Sequence, residues 1–314
     1  MTKDLKIAVT AWRTDGPWRA DTLCSQAERA EDLGFHSFWL PENHFEDPRA
    51  IPSPLTLLAA AAGRTQHIGL ATTSYLLPIR HPIQAAEEVA VLDQLCGGRL
   101  ILGLGRGVQK SVFDVFGLPG KEKRTRFKAN LDAMINAWSG EAIYRDQDGR
   151  ETYLAPLPSQ RPHPPLWVAA FGPLALKQVG GLGLPYLSSP IEPLAMLESN
   201  YSLHRQAAEE AGKTLSETVP VMRNVLITED SGLATRVREH LTSNAPQQLQ
   251  GGPVDVDDWA IVGDLHFARD RLDEYVETLG ITHLIGGGRL PAISEKDQLR
   301  SHEWLLDIGT GFTT

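Results

Sequence analysis

Two hydrophobic rhythms alternate along this chain: short β-branched or aliphatic runs, and longer stretches in which apolar residues recur every three or four positions. LKIAVTA (5–11) leads into ADTLCSQAERAEDLG, where Leu23, Ala27, Ala30 and Leu33 share one face and Gly34 ends the helix. HSFWL precedes SPLTLLAAAAGRT, in which Ser53 can cap and Pro54 suits the first helical turn. IGLATTS gives way to HPIQAAEEVAVLDQLCGG, opened by Pro82 and closed by glycines. RLILGLG (99–105) is a fourth strand, and RTRFKANLDAMINAW follows with Phe127, Leu131, Met134, Ile135 and Trp138 on its inner face. After a proline-laden stretch, 139–165, the runs LWVAA, PYLSS, VPVMRNVLI and THLIG continue the series. Helical patterns near 173–182, 192–211, 231–244 and 264–279 separate them. Eight strands alternating with helices predict an α/β chain forming a single (β/α)8 TIM barrel domain over 1–314, with 139–165 as an extra loop insertion before strand five. An open doubly wound sheet is the alternative, because periodicity does not see closure.

In a barrel, functional groups sit where strands end at their C-terminal side, which gives polar residues there a special status. WLPENHF (39–45) starts as a greasy strand and then places Glu42, Asn43 and His44 in succession. Such a cluster is costly to bury without partners; the plain alternative is a strand that has reached solvent. The same rim gathers Thr73 and Ser74 after strand three and Arg106 after strand four. It also gathers Phe171 and Gly172 after strand five, and Ser188 and Ser189 after strand six. Trp12, Phe45 and the two serines suggest a substrate pocket part aromatic and part polar.

The glycine run GLGRG (103–107) lacks the third glycine of a dinucleotide fingerprint, since Val108 occupies that position. Its glycines permit backbone to approach a ligand closely, with Arg106 beside it as a forked partner for phosphate. In AAFGPLALKQVGG (169–181) a helix begins at Pro173, and its first-turn N–H groups form a second candidate anion site. Many strand-to-helix junctions look this way without binding anything. No metal site is expected: Glu42, His44 and His81 could converge, but neither an H-x-H pair nor an H-E-x-x-H motif is present. A serine hydrolase is excluded by the absence of a G-x-S-x-G elbow.

Composition narrows the class further. With 314 residues, 42% of them apolar and 22% charged, the chain is an ordinary soluble globular protein with enough mass for a sizeable core. A net charge of −9 and no basic run argue against nucleic acid or an anionic membrane as partner. Cys24 and Cys96 fall in helical segments without metal or redox spacing, so two free thiols and a cytoplasmic location are expected. No apolar run reads as a signal peptide or a membrane span.

FHSFWLPENHF, IGLATTSYLLPIRHPIQAAEEVAVLDQLCGGRLILGLGRG, VFGL, PPLWVAAFGPLAL, GLGLPYLSSP and VGDLHFARDRLDEYVETLGITHLIGG occur in an order and over a span that resemble the bacterial luciferase-like flavin monooxygenases. That resemblance implies a (β/α)8 barrel using reduced FMN and O2 or, in a related branch, the deazaflavin F420 without oxygen chemistry. It places Thr73 and Ser74 at a non-proline cis peptide under the flavin ring. Arg106 matches the family's phosphate-binding arginine, Phe171 and Gly172 the backbone holding the same phosphate, and Ser188 and Ser189 the pocket beside the flavin. Two departures stand out. The luciferases proper read Glu-His-His where this chain has Glu42, Asn43 and His44, so their proposed general base corresponds to Asn43. An amide takes no proton near neutral pH; Asn43 could orient a flavin hydroperoxide or a substrate carbonyl, which leaves acid or base work to His44 or to the peroxide itself and a structural duty to Glu42. Family members using FMN often carry serine and threonine where Gly172 and Ala175 stand here, and FGP is similar to the F420 branch.

The expectation is a flavin-dependent monooxygenase that receives reduced FMN from a separate flavin reductase and oxygenates a small-molecule substrate. The alternatives are an F420-dependent hydride-transfer oxidoreductase and a non-catalytic flavin-binding protein. A homodimer through the second and third helices is also implied.

Overall fold

The structure is a computed structural model that describes residues 5–13, 20–46, 50–245, 255–287, 290 and 293–311. Its elements run β1 (Lys6–Thr10), α1 (Ala20–Leu33), β2 (Ser37–Leu40), α2 (Pro54–Ala62), β3 (Gly69–Thr72), β4 (Tyr75–Leu76), α3 (Pro82–Leu95) and β5 (Leu100–Gly105). Next come α4 (Lys110–Val115), α5 (Lys123–Trp138), β6 (Tyr144–Arg145), β7 (Glu151–Thr152) and β8 (Leu166–Ala169). The remainder is α6 (Pro173–Leu182), β9 (Tyr186–Leu187), α7 (Leu194–Glu210), β10 (Pro220–Ile227), α8 (Ser231–Ser243), β11 (Ala260–Gly263), α9 (Leu265–Leu279), β12 (His283–Gly287) and α10 (Glu295–Thr310). This is an α/β fold on parallel strands, and each of the eight runs read from the pattern contains a strand.

Two compact units emerge, drawn from the described residues of 1–14, 29–38 and 170–314 and from those of 15–28 and 39–169. In the first, β10 lies between β11 and β12, all parallel, and β12 continues to β1 in the register Lys6↔His283 to Val9↔Gly286. All eight residues of β10 are buried, as a strand covered on both faces requires. In the second, β5 is flanked by β3 and β8, again parallel, with the short β4 also pairing along β5.

The structure corrects the sequence reading in three places. β11, the four residues AIVG, is a further strand that the pattern passed over, since an apolar run directly ahead of a helical pattern is not told from helix by periodicity alone. Ser53 stands at the N-cap of α2 without making a capping bond; its hydroxyl pairs with that of Thr56 at 2.8 Å, a competing local partner. Cys96 caps α3 rather than lying inside it; both cysteines are free and buried, and burial raises both thiols.

The stretch 139–165 holds an antiparallel hairpin of β6 and β7. Its far end is tied down by the fully buried carboxylate of Asp93 in α3, which accepts from the Gln160 backbone N–H at 2.8 Å and its side-chain amide at 2.7 Å. Nearby, Arg99 anchors the start of β5 by donating to carbonyls of Cys96, Ile68, Thr65 and Ala62 and to the Thr65 hydroxyl. A partly buried guanidinium with that many acceptors is held in place as a peg.

Candidate active site

The residues expected to form the site lie within five residues after the end of a strand, beyond β1, β2, β3, β5, β8 or β9. Within the unit containing β3 and β5, the loop after β2 builds a bonded set. Glu42 is buried. Its Oε1 accepts from His44 Nε2 at 2.8 Å and lies 2.8 Å from Arg80 Nη2, while Oε2 accepts the Leu76 backbone N–H at 2.8 Å. Arg80 is fixed in turn: its Nη1 donates to the Leu76 carbonyl at 2.7 Å and its guanidinium lies 3.7 Å from the centre of the Tyr75 ring. Burial, relieved in part by Arg80, pushes the Tyr75 hydroxyl far above its ordinary range. The structural duty expected of Glu42 toward backbone is present at Leu76, but Arg80 was missed. The signal lay in PIRHP (78–82), where an arginine precedes a helix-opening proline.

Asn43 is held differently. Its Oδ1 accepts the Ile51 N–H at 2.6 Å and its own N–H donates to the Ile51 carbonyl at 3.1 Å, so the amide closes the 43–51 loop. Only its NH2 group remains for other work. His44 is walled by Phe116, edge-on at 5.5 Å, and by Phe45 at 5.5 Å. Phe45 and Glu46 both take left-handed backbone conformations, φ +60° and +58°, which cost L-residues about 1–2 kcal/mol each. Outliers of this kind concentrate where function constrains the chain.

The Thr73–Ser74 peptide is cis. The Thr73 N–H donates to the Leu40 carbonyl at 2.8 Å, linking this turn to the end of β2. Ser74 packs so tightly on Gly105 that a Cβ there would run into its hydroxyl, which explains the glycine at the end of β5. Arg106 follows at once, partly buried. Burial, and then repulsion from Arg124, lower it to about 10. Burial, Arg106 and Arg124 lower Lys123 as well, whose ammonium donates to the Gly107 carbonyl at 3.1 Å. Two cations whose charge burial and the neighbouring guanidinium groups disfavour are better served with an anion beside them.

In the other unit, Phe171 is 41% exposed and Gly172 opens α6 at φ +82°. Ala175 and Leu176 both donate back to the Gly172 carbonyl, at 3.0 and 3.2 Å, and Pro173 has no N–H. The first turn of α6 therefore offers a phosphate fewer N–H groups than the pattern suggested. Ser188 is buried and its hydroxyl accepts the Met222 N–H at 3.2 Å. The Ser189 N–H donates to Glu192 at 2.6 Å. Trp12 packs edge-on against Phe38 at 6.4 Å and His302 at 4.8 Å, a setting of ring-on-ring packing. Among the described residues no group of three His, Cys, Asp or Glu could hold a metal ion.

The sequence profile of the luciferase-like monooxygenases matches residues 5–283. The oxygenase component of a flavin-dependent trigonelline monooxygenase from Acinetobacter baylyi is 33% identical over 155 residues, 48% of this chain and 42% of that protein. The chain spans about half the length of the curated relatives it matches. Among solved structures, the oxygenating constituent of 3,6-diketocamphane monooxygenase from Pseudomonas putida, in complex with FMN, superposes with a TM-score of 0.81 at 21% identity, covering 96% of this chain and 97% of that one. A coenzyme F420-dependent tetrahydromethanopterin reductase from Methanopyrus kandleri gives 0.69 at 21% identity, with 98% of each chain covered.

Proposed function

Because the chain belongs to the luciferase-like monooxygenase family, we propose that it is the oxygenase of a two-component system, taking reduced FMN from a separate flavin reductase. One atom of O2 enters a small organic substrate and the other leaves as water. The scaffold in this reading is a closed (β/α)8 barrel, and the protein works as a cytoplasmic homodimer. The exposed Val91 and Leu95 of α3 support the dimer, whose mass light scattering would measure.

The observation that carries the reading is the cluster of Arg106, Lys123 and Arg124 at the end of β5. Burial and repulsion from neighbouring guanidinium groups disfavour the charges of Arg106 and Lys123, and a dianionic phosphate would relieve both effects. The donor chemistry therefore fits the phosphate arm of a flavin nucleotide. When bound, reduced flavin supplies the electrons that activate O2. The chain's task is to hold it, exclude water and move protons. Arg106 takes the phosphate, with Phe171 and Gly172 as backbone support. Thr73 and Ser74 would hold the ring, and Trp12, Ser188 and Ser189 would line the substrate pocket. His44 exchanges the proton, and Asn43 offers its NH2 group to a substrate oxygen.

Equilibrium titration with reduced FMN, riboflavin and F420 tests this reading. FMN should bind more tightly than riboflavin, and Arg106→Leu should remove about 1.5–3 kcal/mol, roughly 10- to 100-fold, of FMN affinity while leaving riboflavin nearly unchanged. Labelled O2 should then place one oxygen atom in the product. Equal binding of FMN and riboflavin would refute the phosphate assignment.

A second reading, hydride transfer with F420, is favoured by Gly172 and Ala175, which give the start of α6 no side-chain hydroxyl for a phosphate. Tight binding of F420 and indifference to oxygen would select it. Flavin binding without turnover on any substrate, unaltered by Asn43→Ala, would select a non-catalytic flavin protein instead.

A further inference from the structure

The bonds around Glu42 reach beyond the assignment of His44. We infer that Glu42 and Arg80 are positioning residues that fix His44 in a single tautomer, with its proton on Nε2 and Nδ1 as the nitrogen that exchanges a proton with the ligand. The inference rests on the role given to His44 above, and its grounds are separate.

Glu42 Oε1 is shared by His44 Nε2 and Arg80 Nη2, each at 2.8 Å, and Oε2 is taken by the Leu76 N–H. An ionised carboxylate only accepts, so the ring nitrogen facing it must carry hydrogen. In the neutral imidazole that leaves Nδ1 as the acceptor, and among the described residues nothing bonds to it. The ring is kept from turning by the walls of Phe45 and Phe116, which are apolar. Among the described residues, the charged side chains bonded within this set are Glu42 on His44 and Arg80 on Glu42. Arg80 cannot swing away, being clasped by the Leu76 carbonyl and stacked on Tyr75, whose hydroxyl is itself anchored on Glu88 at 3.1 Å. Asn130 adds a lock by donating to the Arg80 carbonyl at 3.0 Å. A histidine held this firmly by a carboxylate, with one nitrogen left over, is arranged as an acid–base group.

Long-range nitrogen–proton correlation NMR on histidine-labelled protein, with His44 assigned through His44→Gln, reads the tautomer directly. In the wild-type protein without ligand, neutral His44 should carry its proton on Nε2 in at least about tenfold excess, the ratio that about 1.4 kcal/mol of hydrogen bonding produces. In Glu42→Gln that excess should collapse. Arg80→Gln should keep the tautomer and move the Nε2–H resonance downfield, because a carboxylate that has lost its cation draws more strongly on the remaining donor. Arg80→Lys, which restores the charge, should bring the resonance back. A wild-type ring protonated on Nδ1, or averaged between nitrogens, would overturn the inference, as would spectra identical in all three variants. Titration with FMN keeps the two readings apart. A fixed Nε2–H tautomer in a protein that binds no flavin refutes the proposed function and spares the geometry, whereas flavin binding with an averaged ring refutes only the positioning.

Discussion

Two buried glutamates solve the same problem by opposite means. Glu42 meets a guanidinium, an imidazole and one backbone N–H, so its charge is matched by a cation. Glu192 meets the Tyr186 hydroxyl at 2.7 and 2.8 Å, the Asn200 amide at 2.7 Å and the Ser189 N–H at 2.6 Å, all neutral donors. Burial prevails there and raises the Glu192 carboxyl, with the hydrogen bonds and Arg223 opposing. Arg223 gives its own bonds to the carbonyls of Met222 and Glu192 and to the Tyr275 hydroxyl at 2.7 Å, since an arginine cannot shed its proton. The rest of that unit's interior favours neutrality: burial holds His36 at about 4, His283 at about 3 and His302 at about 4. A carboxylate matched by a cation can hold one nitrogen of a histidine and leave the other to exchange a proton with something that arrives. One wrapped in neutral donors pins its loop, here the one bearing Ser188 and Ser189.

The largest expected effect breaks the charged member of the comparison. Arg80→Met keeps an apolar stem over Tyr75 but leaves Glu42 buried without its cation, and should cost about 3–5 kcal/mol, measured as a lower urea midpoint. A loss under about 1 kcal/mol would mean that Leu76 and His44 suffice to hold the carboxylate, and the contrast with Glu192 would disappear.

Glu192→Gln should cost less, about 1–3 kcal/mol, because one acceptor is lost among neutral donors and no charge is stranded. Its pH dependence sharpens the difference. A carboxyl raised in the folded protein contributes stability that is complete below the unfolded midpoint and is lost as pH rises through the folded one. The deficit of Glu192→Gln relative to wild type should therefore be widest in acid and narrow as pH increases. A deficit that widens with pH would mean the ionised form is the one the fold prefers.

How much of this contrast was legible in the sequence depends on whether a partner is local. Glu42 and His44 stand two residues apart at a strand end, and their proximity could be read directly. Arg80 lies 38 positions further on and reaches Glu42 only because the turn after β3 returns to β2, a tertiary fact without a local signature. The strands themselves were visible as β-branched runs, whereas β11 runs almost directly into α9 and an apolar run there is not told from helix by periodicity. The N–H groups of α6 looked available because a glycine–proline start usually frees them; the tight first turn that sends Ala175 back to Gly172 is a backbone detail. Trp12 is legible as an aromatic pocket candidate, while its ring contacts with His302 and Phe38 are tertiary and leave no local signal.

The smallest effect tests the neutral interior through a single histidine. His283 packs against His36 with ring centres 5.2 Å apart, and burial first, then His36 and Lys6, keep it unprotonated in the folded protein. The unfolded chain takes up that proton near the ordinary histidine midpoint of about 6.5. The sign follows: this contribution to stability is complete above that pH and falls as the solution is acidified toward the folded value of about 3. Each such histidine steepens the loss by at most about 1.4 kcal/mol per pH unit. His283→Gln removes one proton from the balance, so urea midpoints measured from pH 7 to pH 5 should decline about 1 kcal/mol per unit less steeply than in wild type, whatever the substitution does to stability at neutral pH. An unchanged slope would mean that His283 is protonated in the fold after all, and that this interior tolerates a charge as the surroundings of Glu42 do.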